Sequence, residues 1–323
     1  MPDPNGGINL SPIISSSQPE EKDSAPALSD LSDHDKPWDK HRANCDVVTK
    51  HYVKSEFSRY SERMADCSGI LDFRLVPNLD SGVYKLKLSS ARFCRVRHCP
   101  VCQWRRSLMW KAKAYKILPQ VLIDYPKARW LFLTLTVRNC AITDLRETLA
   151  WMNKSFKRLS ELKCFPAKGY IKTTEVTYGK KPSGSAHPHF HILMMVNPSY
   201  FSHGYLSQAK WVELWQRSLK TDYKPILDIQ TLKSEDSLLG LLAEIIKYSV
   251  KESDLMSDRD WFLELTRQLH RTKAIAVGGV LRHYMHELEQ EPQDLIGKDN
   301  EVETDEGHLH FQWKSKQKKY RMI

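Results

Sequence analysis

Alternation of apolar and polar positions marks the strands of this chain first. Between Ile70 and Ser90, Leu71, Phe73 and Leu75 answer Tyr84, Leu86 and Leu88 across the turn Asp80-Ser81-Gly82, which predicts a β-hairpin. Trp130 to Val137 reads as a strand with a buried face. Tyr170 to Tyr178 and Pro188 to Val196 read as two more, joined by a loop containing Gly179, Pro182 and Gly184. Elsewhere the period lengthens to that of helices. One, basic and amphipathic, runs from about Gln103 to Ile123, and another from about Thr143 to Leu162, capped by Thr143 or Asp144. Others cover about Ser207–Leu219, Glu235–Lys251 and Asp258–His270. Gly278-Gly279 breaks the pattern before a helix from about Val280 to Leu288, and weaker helical patterning runs from Lys36 to about Met64.

Strands separated by helices, with hairpin spacing around residues 170–196, predict an α+β fold with a largely antiparallel sheet and flanking helices. Residues 1–36 are rich in Ser, Pro, Asp and Glu and predict a disordered tail. The expected folded regions are 37–125 and 126–286, followed by an acidic linker or loop at 287–306 and a basic C-terminal segment at 307–323.

Length and composition change this picture little. The 323 residues suffice for one large or two modest domains, and 41% hydrophobic content is ordinary for a globular protein. No run reaches the ~18 apolar residues needed to span a bilayer. The N-terminus has no basic-then-apolar signal pattern, so the expected location is cytoplasmic, with no membrane partner. Charge changes more. The net +10 is the sum of −5 over residues 1–36, −8 over 287–306, +5 over 307–323, and therefore +18 over 37–286. A folded body this basic attracts polyanions, with a phosphate backbone the leading candidate.

Seven cysteines, four of them in one region, fit a reduced compartment and a metal site better than a disulfide framework. Cys94-x4-Cys99-x2-Cys102, with Cys67 at the far end of the hairpin, supplies four thiols. That number closes a tetrahedral zinc site and makes it structural; His98 is an alternative ligand. Residues 92–116 hold Arg92, Arg95, Arg97, Arg105, Arg106, Lys111, Lys113 and Lys116 without an acid, interleaved with Trp104, Trp110 and Tyr115. Such a mix grips phosphates and stacks on bases. Arg95, Arg97, Arg105, Arg106, Lys111 and Lys113 are the expected nucleic-acid contacts.

His187, His189 and His191 alternate, so in a strand their imidazoles share a face and converge on one point. A divalent cation held by His189 and His191 needs a third ligand. Glu175, on the preceding predicted strand, has the matching parity. Two imidazoles and a carboxylate suit Mn²⁺ or Mg²⁺ acting on phosphates, and imidazole also admits Zn²⁺. His187 is either a ligand or a group behind the ligands. The predicted helix from Glu235 buries Leu238, Leu241, Leu242, Ile245 and Ser249. It presents Glu244, Lys247, Tyr248 and Lys251 at i, i+3, i+4 and i+7 on its other side. A phenol with an ordinary pKa near ~10 needs cationic help to act as a nucleophile.

The chain resembles the replication initiators of rolling-circle plasmids, members of the HUH endonuclease superfamily. The resemblance runs from Pro37-Trp38-Asp39-Lys40-His41-Arg42 to Trp313–Tyr320. It passes through Arg63-Met64-x-x-Cys67, Phe93-Cys94-Arg95-x-Arg97-x-Cys99-Pro100-x-Cys102-x-Trp104-Arg105-Arg106 and Phe132-Leu133-Thr134-Leu135-Thr136. Glu175-Val176-Thr177-Tyr178, His187-Pro188-His189-Phe190-His191, Lys247-Tyr248-x-x-Lys251 and Gly278-Gly279 follow. It implies an HUH-like nicking domain preceded by a small cysteine-rich, zinc-binding N-terminal element. It also implies plasmid origin DNA, double-stranded and extruded as a single strand, as substrate. Tyr248 would attack a phosphodiester held by the metal of His189 and His191, leaving a 5′-phosphotyrosyl link and a 3′-OH primer. Glu244 would activate water at termination. Host helicase, polymerase and single-strand binding protein are the implied partners. The rival readings are an HUH relaxase or transposase, and a zinc-containing DNA-binding protein without catalysis.

Overall fold

In the computed structural model the described residues are 25–77, 84–232, 238, 240–242, 245–246, 250–286, 294–296 and 307–323. They form two compact units, one comprising the chain up to Arg105 together with Asp294–Ile323, the other Arg106–Gln293. The boundary differs from the one expected near residue 125, because it falls inside the helix Pro100–Asp124. The later part of that helix buries Ala114, Leu118 and Val121 in the core of the second unit.

The first unit contains α1 (Leu28–Leu31), α2 (Pro37–Tyr52) and α3 (Ser58–Ala65). Its four strands are β1 (Ile70–Pro77), β2 (Tyr84–Ala91), β9 (His308–Lys314) and β10 (Lys319–Met322), in sheet order β10-β9-β1-β2. Pro37 suits the first helical position of α2, where a fixed φ helps and a missing N–H costs nothing. The helix then buries Trp38, His41, Arg42, Cys45, Val48 and Tyr52, a stripe at helical spacing. Leu71, Phe73 and Phe311 face that side of the sheet. Trp313 Nε1 donates to Asp46 at 2.8 Å, and the Tyr320 hydroxyl donates to the Ser68 carbonyl at 2.7 Å.

Two expectations change here. Order begins by residue 25, ahead of the disordered 1–36: Ala27, Leu28 and Leu31 are buried, and Ala27 bridges Arg321. A few apolar residues suffice because β10 is there to receive them. Residues 307–323 are likewise no separate basic segment. Their alternation of Leu309, Phe311 and Trp313 builds β9, which pairs with β1.

The second unit is built on the sheet β7-β3-β6-β5-β8, with every pairing antiparallel. Its strands are β3 (Arg129–Thr136), β5 (Ala167–Lys180), β6 (Ser183–Val196), β7 (Leu227–Thr231) and β8 (Ile275–Gly279), with β4 (Cys140–Ala141) on the end of β6. The helix Pro100–Asp124 is α4, and α5 (Leu145–Ser160), α6 (Gln208–Leu219), α7 (Glu252–Ser257), α8 (Arg259–Gln268) and α9 (Leu281–Met285) complete the described elements. The predicted antiparallel α+β architecture is therefore present.

The β5–β6 hairpin is longer than expected, since Gly179 and Gly184 belong to the strands. Asp144 stands at the start of α5 without a side-chain capping hydrogen bond. Gly279, at φ +60°, makes the turn from β8 toward α9. One sheet face carries Phe190, against Phe156 of α5 with ring centroids 6.3 Å apart. The other carries Trp130, Ile171, Leu193 and Met195, which pack with α4 and with Leu238, Leu242, Ile245 and Ile246.

Lys172 is buried on the first of these faces. Its Nζ donates to Asn153 Oδ1 at 2.9 Å and lies 3.9 Å from the Phe190 ring centroid. Burial pushes its ammonium from 10.5 down to about 8. The unfolded chain thus holds the extra proton between those two values, so stability rises with pH across that window. Relative to Lys172→Met, the wild-type unfolding free energy is expected to climb by roughly 3 kcal/mol over that range, with the methionine variant the more stable at pH 7. Denaturant titrations giving parallel pH profiles for the two proteins would disprove this.

Candidate functional site

The pairing of β5 with β6 sets Glu175 directly opposite His189, and His191 opposite Thr173. Side chains alternate along each strand, so Glu175, His189 and His191 leave the sheet on one face. Glu175 Oε2 lies 3.2 Å from His189 Nε2 and 3.1 Å from His191 Nε2. The other ring nitrogens are engaged elsewhere. His191 Nδ1 is 3.2 Å from Thr134 Oγ1 on β3, and His189 Nδ1 is 3.3 Å from the His187 carbonyl. Phe132 stacks on the His191 ring at 5.5 Å. A ring held through Nδ1 presents its Nε2 lone pair.

Two such lone pairs and a carboxylate oxygen repel one another unless protons or a cation stand between them. Burial disfavours the charge of Glu175, but hydrogen bonds to His189 and His191, with their charge, outweigh it and hold the carboxyl well below the usual carboxylate range. Neighbouring ligands with ~2.1 Å bonds to one ion lie ~3 Å apart. The observed separations and the donor set fit a divalent cation. Three protein ligands leave coordination positions open for a substrate oxygen.

Lys251 comes to the edge of this cluster, with Nζ 4.0 Å from Glu175 Oε1. It is not the last residue of a long helix, as the sequence suggested. Its backbone is extended (φ −65°, ψ 141°), and it precedes α7. Leu238, Leu242 and Ile245 are buried as expected. Tyr248, Glu244 and Lys247 lie outside the described residues. His187 shares the face but not the ligand group. Its Nδ1 lies 2.7 Å from Asn139 Oδ1, and burial lowers its pKa.

In the first unit Cys67, Cys94, Cys99 and Cys102 are buried together. The Sγ atoms of Cys67–Cys102, Cys94–Cys102 and Cys67–Cys99 are each 3.6 Å apart. Thiolates bound tetrahedrally at ~2.3 Å sit nearly 4 Å from each other, so this group too could hold a metal ion. Arg95, at φ +57°, turns the chain so that its N–H points to Cys102 Sγ at 3.3 Å. The Cys94 N–H points to Cys67 Sγ at 3.4 Å. Such donors favour the thiolate form. His98 is buried beside Gln103, outside the four-thiol group, so the cysteines supply the set without it.

The expected nucleic-acid contacts divide. Arg95 is exposed, and Arg97, Lys111 and Lys113 are half-buried. Arg105 donates to the Leu295 carbonyl at 2.8 Å and lies over Trp38 and Trp104, and Arg106 is buried. The aromatics of that stretch turn inward. Trp104 stacks on His41, while Trp110 and Tyr115 pack against the core of the second unit, so they form no base-stacking row.

A family described as Replication protein matches residues 85–321, a span that holds Glu175, His189, His191 and three of the four clustered cysteines. The chain belongs to that family. "Protein rep" of Lentilactobacillus hilgardii is 31% identical to this family member over 290 residues, 84% of this chain and 90% of that one. "Protein rep" of Lactiplantibacillus plantarum is 33% identical over 271 residues, 79% and 83% of the two chains. No solved structure matches. Among the described residues, no helix is long and apolar enough to cross a membrane.

Sequence reasoning missed several residues that complete these sites in the Replication protein chain. Thr134 on β3 and Asn139 in the connection between β3 and β4 orient histidines of β6, and only their polarity beside β-patterned sequence signals it. Cys45, on α2, brings a fifth buried thiol 3.6 Å from Cys99. It lies far from the others in sequence, and its helical spacing with Trp38 and Val48 disguises it as core. Elemental analysis of purified protein is expected to find about one zinc per chain. Cys99→Ser should lose the zinc and Cys45→Ser retain it. A zinc-free wild-type protein would refute the assignment.

Proposed function

We propose that this protein initiates rolling-circle replication of a plasmid by nicking one strand of the origin and later rejoining it. The observation that carries the reading is the convergence of Glu175, His189 and His191 on one point, with Lys251 beside them. That arrangement suits an enzyme acting on a phosphodiester. Mn²⁺ or Mg²⁺ held by these three groups would supply Lewis-acid polarisation of the phosphate.

The chain's own residues do the rest. The Tyr248 oxygen attacks phosphorus, the phenol losing its proton. The bond from phosphorus to the 3′ oxygen breaks, and that oxygen takes a proton to become a free 3′-OH. The 5′ end stays attached to the tyrosine. Lys247 and Lys251 offset charge building on the phosphate oxygens. Tyr248 lies three residues before Lys251, which keeps it within a short length of chain from the cluster. Glu244 accepts a proton from water at termination, so that one tyrosine suffices for a full cycle.

In the cytoplasm the 3′-OH would prime a host polymerase, with helicase and single-strand binding protein clearing the displaced strand. The four-thiol group would hold structural zinc.

Incubation with a 3′-labelled single-stranded origin oligonucleotide and Mn²⁺ is expected to yield a labelled, denaturation-resistant adduct that maps to Tyr248, whereas a 5′ label should leave with the 3′-OH product. Tyr248→Phe should bind the oligonucleotide but form no adduct. His189→Ala should cut the nicking rate by at least ~100-fold, as loss of a metal ligand does. Nicking that survives complete chelation, or an adduct formed by Tyr248→Phe, would overturn the proposal.

A further inference from the structure

The four-stranded sheet of the first unit has two faces of opposite chemistry. Strand register puts Leu71, Phe73, Leu75, Phe311, Trp313 and Tyr320 on the face that packs against α2. The opposite parity collects Arg74, Lys85, Lys87, Lys314, Lys319 and Arg321, drawn from all four strands. Arg74 pairs with both Lys87 and His308, and Lys314 with Lys319. The one acid among the described strand residues of this face is Asp72, and its carboxylate is engaged by His308 Nδ1 at 2.8 Å. Lys319 is tied to Asp30 at 3.1 Å, and Arg321 to the Ala25 carbonyl at 2.8 Å. Lys85, His308 and His310 are exposed.

Like charges on neighbouring strands repel and destabilise a sheet. A face that gathers six of them has an anionic occupant to meet. Every Phe, Tyr and Trp of the described strands lies at the other parity, and the two imidazoles of this face, His308 and His310, stack on each other and face Asp72 at 2.8 and 3.6 Å. The face therefore lacks the row of large rings on which a single-strand groove stacks bases. It offers cations on a rigid, twisted surface, the requirement for the phosphates of a duplex.

We propose that the Arg74–Lys85–Lys314 face of this sheet binds the backbone of double-stranded DNA. It rests on the reading of the protein as an origin-processing enzyme and adds to it a duplex-gripping surface on a different unit from the metal-binding strand pair. Its contacts are to phosphate and set position, not sequence.

The test measures binding of the full-length protein to duplex origin DNA by fluorescence anisotropy across a salt series. Nicking of a single-stranded oligonucleotide in Mn²⁺ is measured in parallel. R74A/K85A/K314A is expected to weaken duplex binding at least ~10-fold at physiological salt. Its log–log salt slope should be shallower by about 3, since each phosphate that the protein ceases to neutralise lowers the slope by about 0.9. Single-strand nicking should persist. R74K/K85R/K314R, which keeps the charge, should bind like wild type, and each single alanine variant should lower the slope by about 1. An unchanged slope in the triple alanine variant overturns the proposal, as does a charge-preserving variant as weak as the alanine one. If the triple variant fails to fold, the three single variants decide by the same slope. A wild-type protein that grips duplex DNA through this face yet never nicks would sink the nickase reading and leave this one standing.

Discussion

The antiparallel register between β5 and β6 is the constraint on which the rest of the second unit depends. Side chains alternate with a period of two, so a slip of one residue would send Glu175 to the opposite face from His189 and His191 and dismantle the ligand group at once. The pairing is long, and β3 and β8 flank it, so the register is fixed by hydrogen bonds on both edges and by two packed faces. Phe190 and Ile192, between and beside the histidines, are buried on the reverse face. The residues that lock the strand in place are thus interleaved with those of the candidate ligand group.

The two candidate metal groups illustrate opposite uses of the same principle. Four buried thiols, with backbone N–H groups turned toward the sulfurs, make a closed site that ties together the turn between α3 and β1, the chain leaving β2, and the start of α4. Glu175, His189 and His191 make an open one, partly exposed, with their outward nitrogens fixed from behind by Thr134 and by backbone. The first loses water to gain rigidity. The second keeps access for a substrate, and its rigidity comes from the sheet.

The histidine strand is legible in the sequence because its geometry is local. Three histidines at alternate positions say which face they share, and Glu175 follows from parity across one hairpin. The four clustered cysteines were legible for the same reason, since a Cys-x-x-Cys turn brings two sulfurs together by itself. What escaped was assembled from afar. Cys45 approaches Cys99 only because α2 packs there. Arg105 and Trp104 looked like a nucleic-acid grip, yet they pack against Trp38 and Leu295 in a way that no local pattern announces. β9 carried a plain alternation, but its charge drew attention away from it, and its partner β1 lies more than 200 residues earlier. Lys251 was misread because helical spacing continued past the point where the backbone leaves the helix.

That long separation between β1 and β9 has a temporal meaning. The strands of the four-stranded sheet are made in two instalments, with the whole second unit between them. During synthesis the second unit can complete its sheet while the first unit still lacks half of its own, since domains fold as units once their residues are available. Until His308–Met322 emerge, Leu71 and Phe73 have no Phe311 to cover them, and Ser68 has no Tyr320. An unfinished chain therefore carries β1 with an unpaired, apolar edge, the kind of surface on which partly made chains associate.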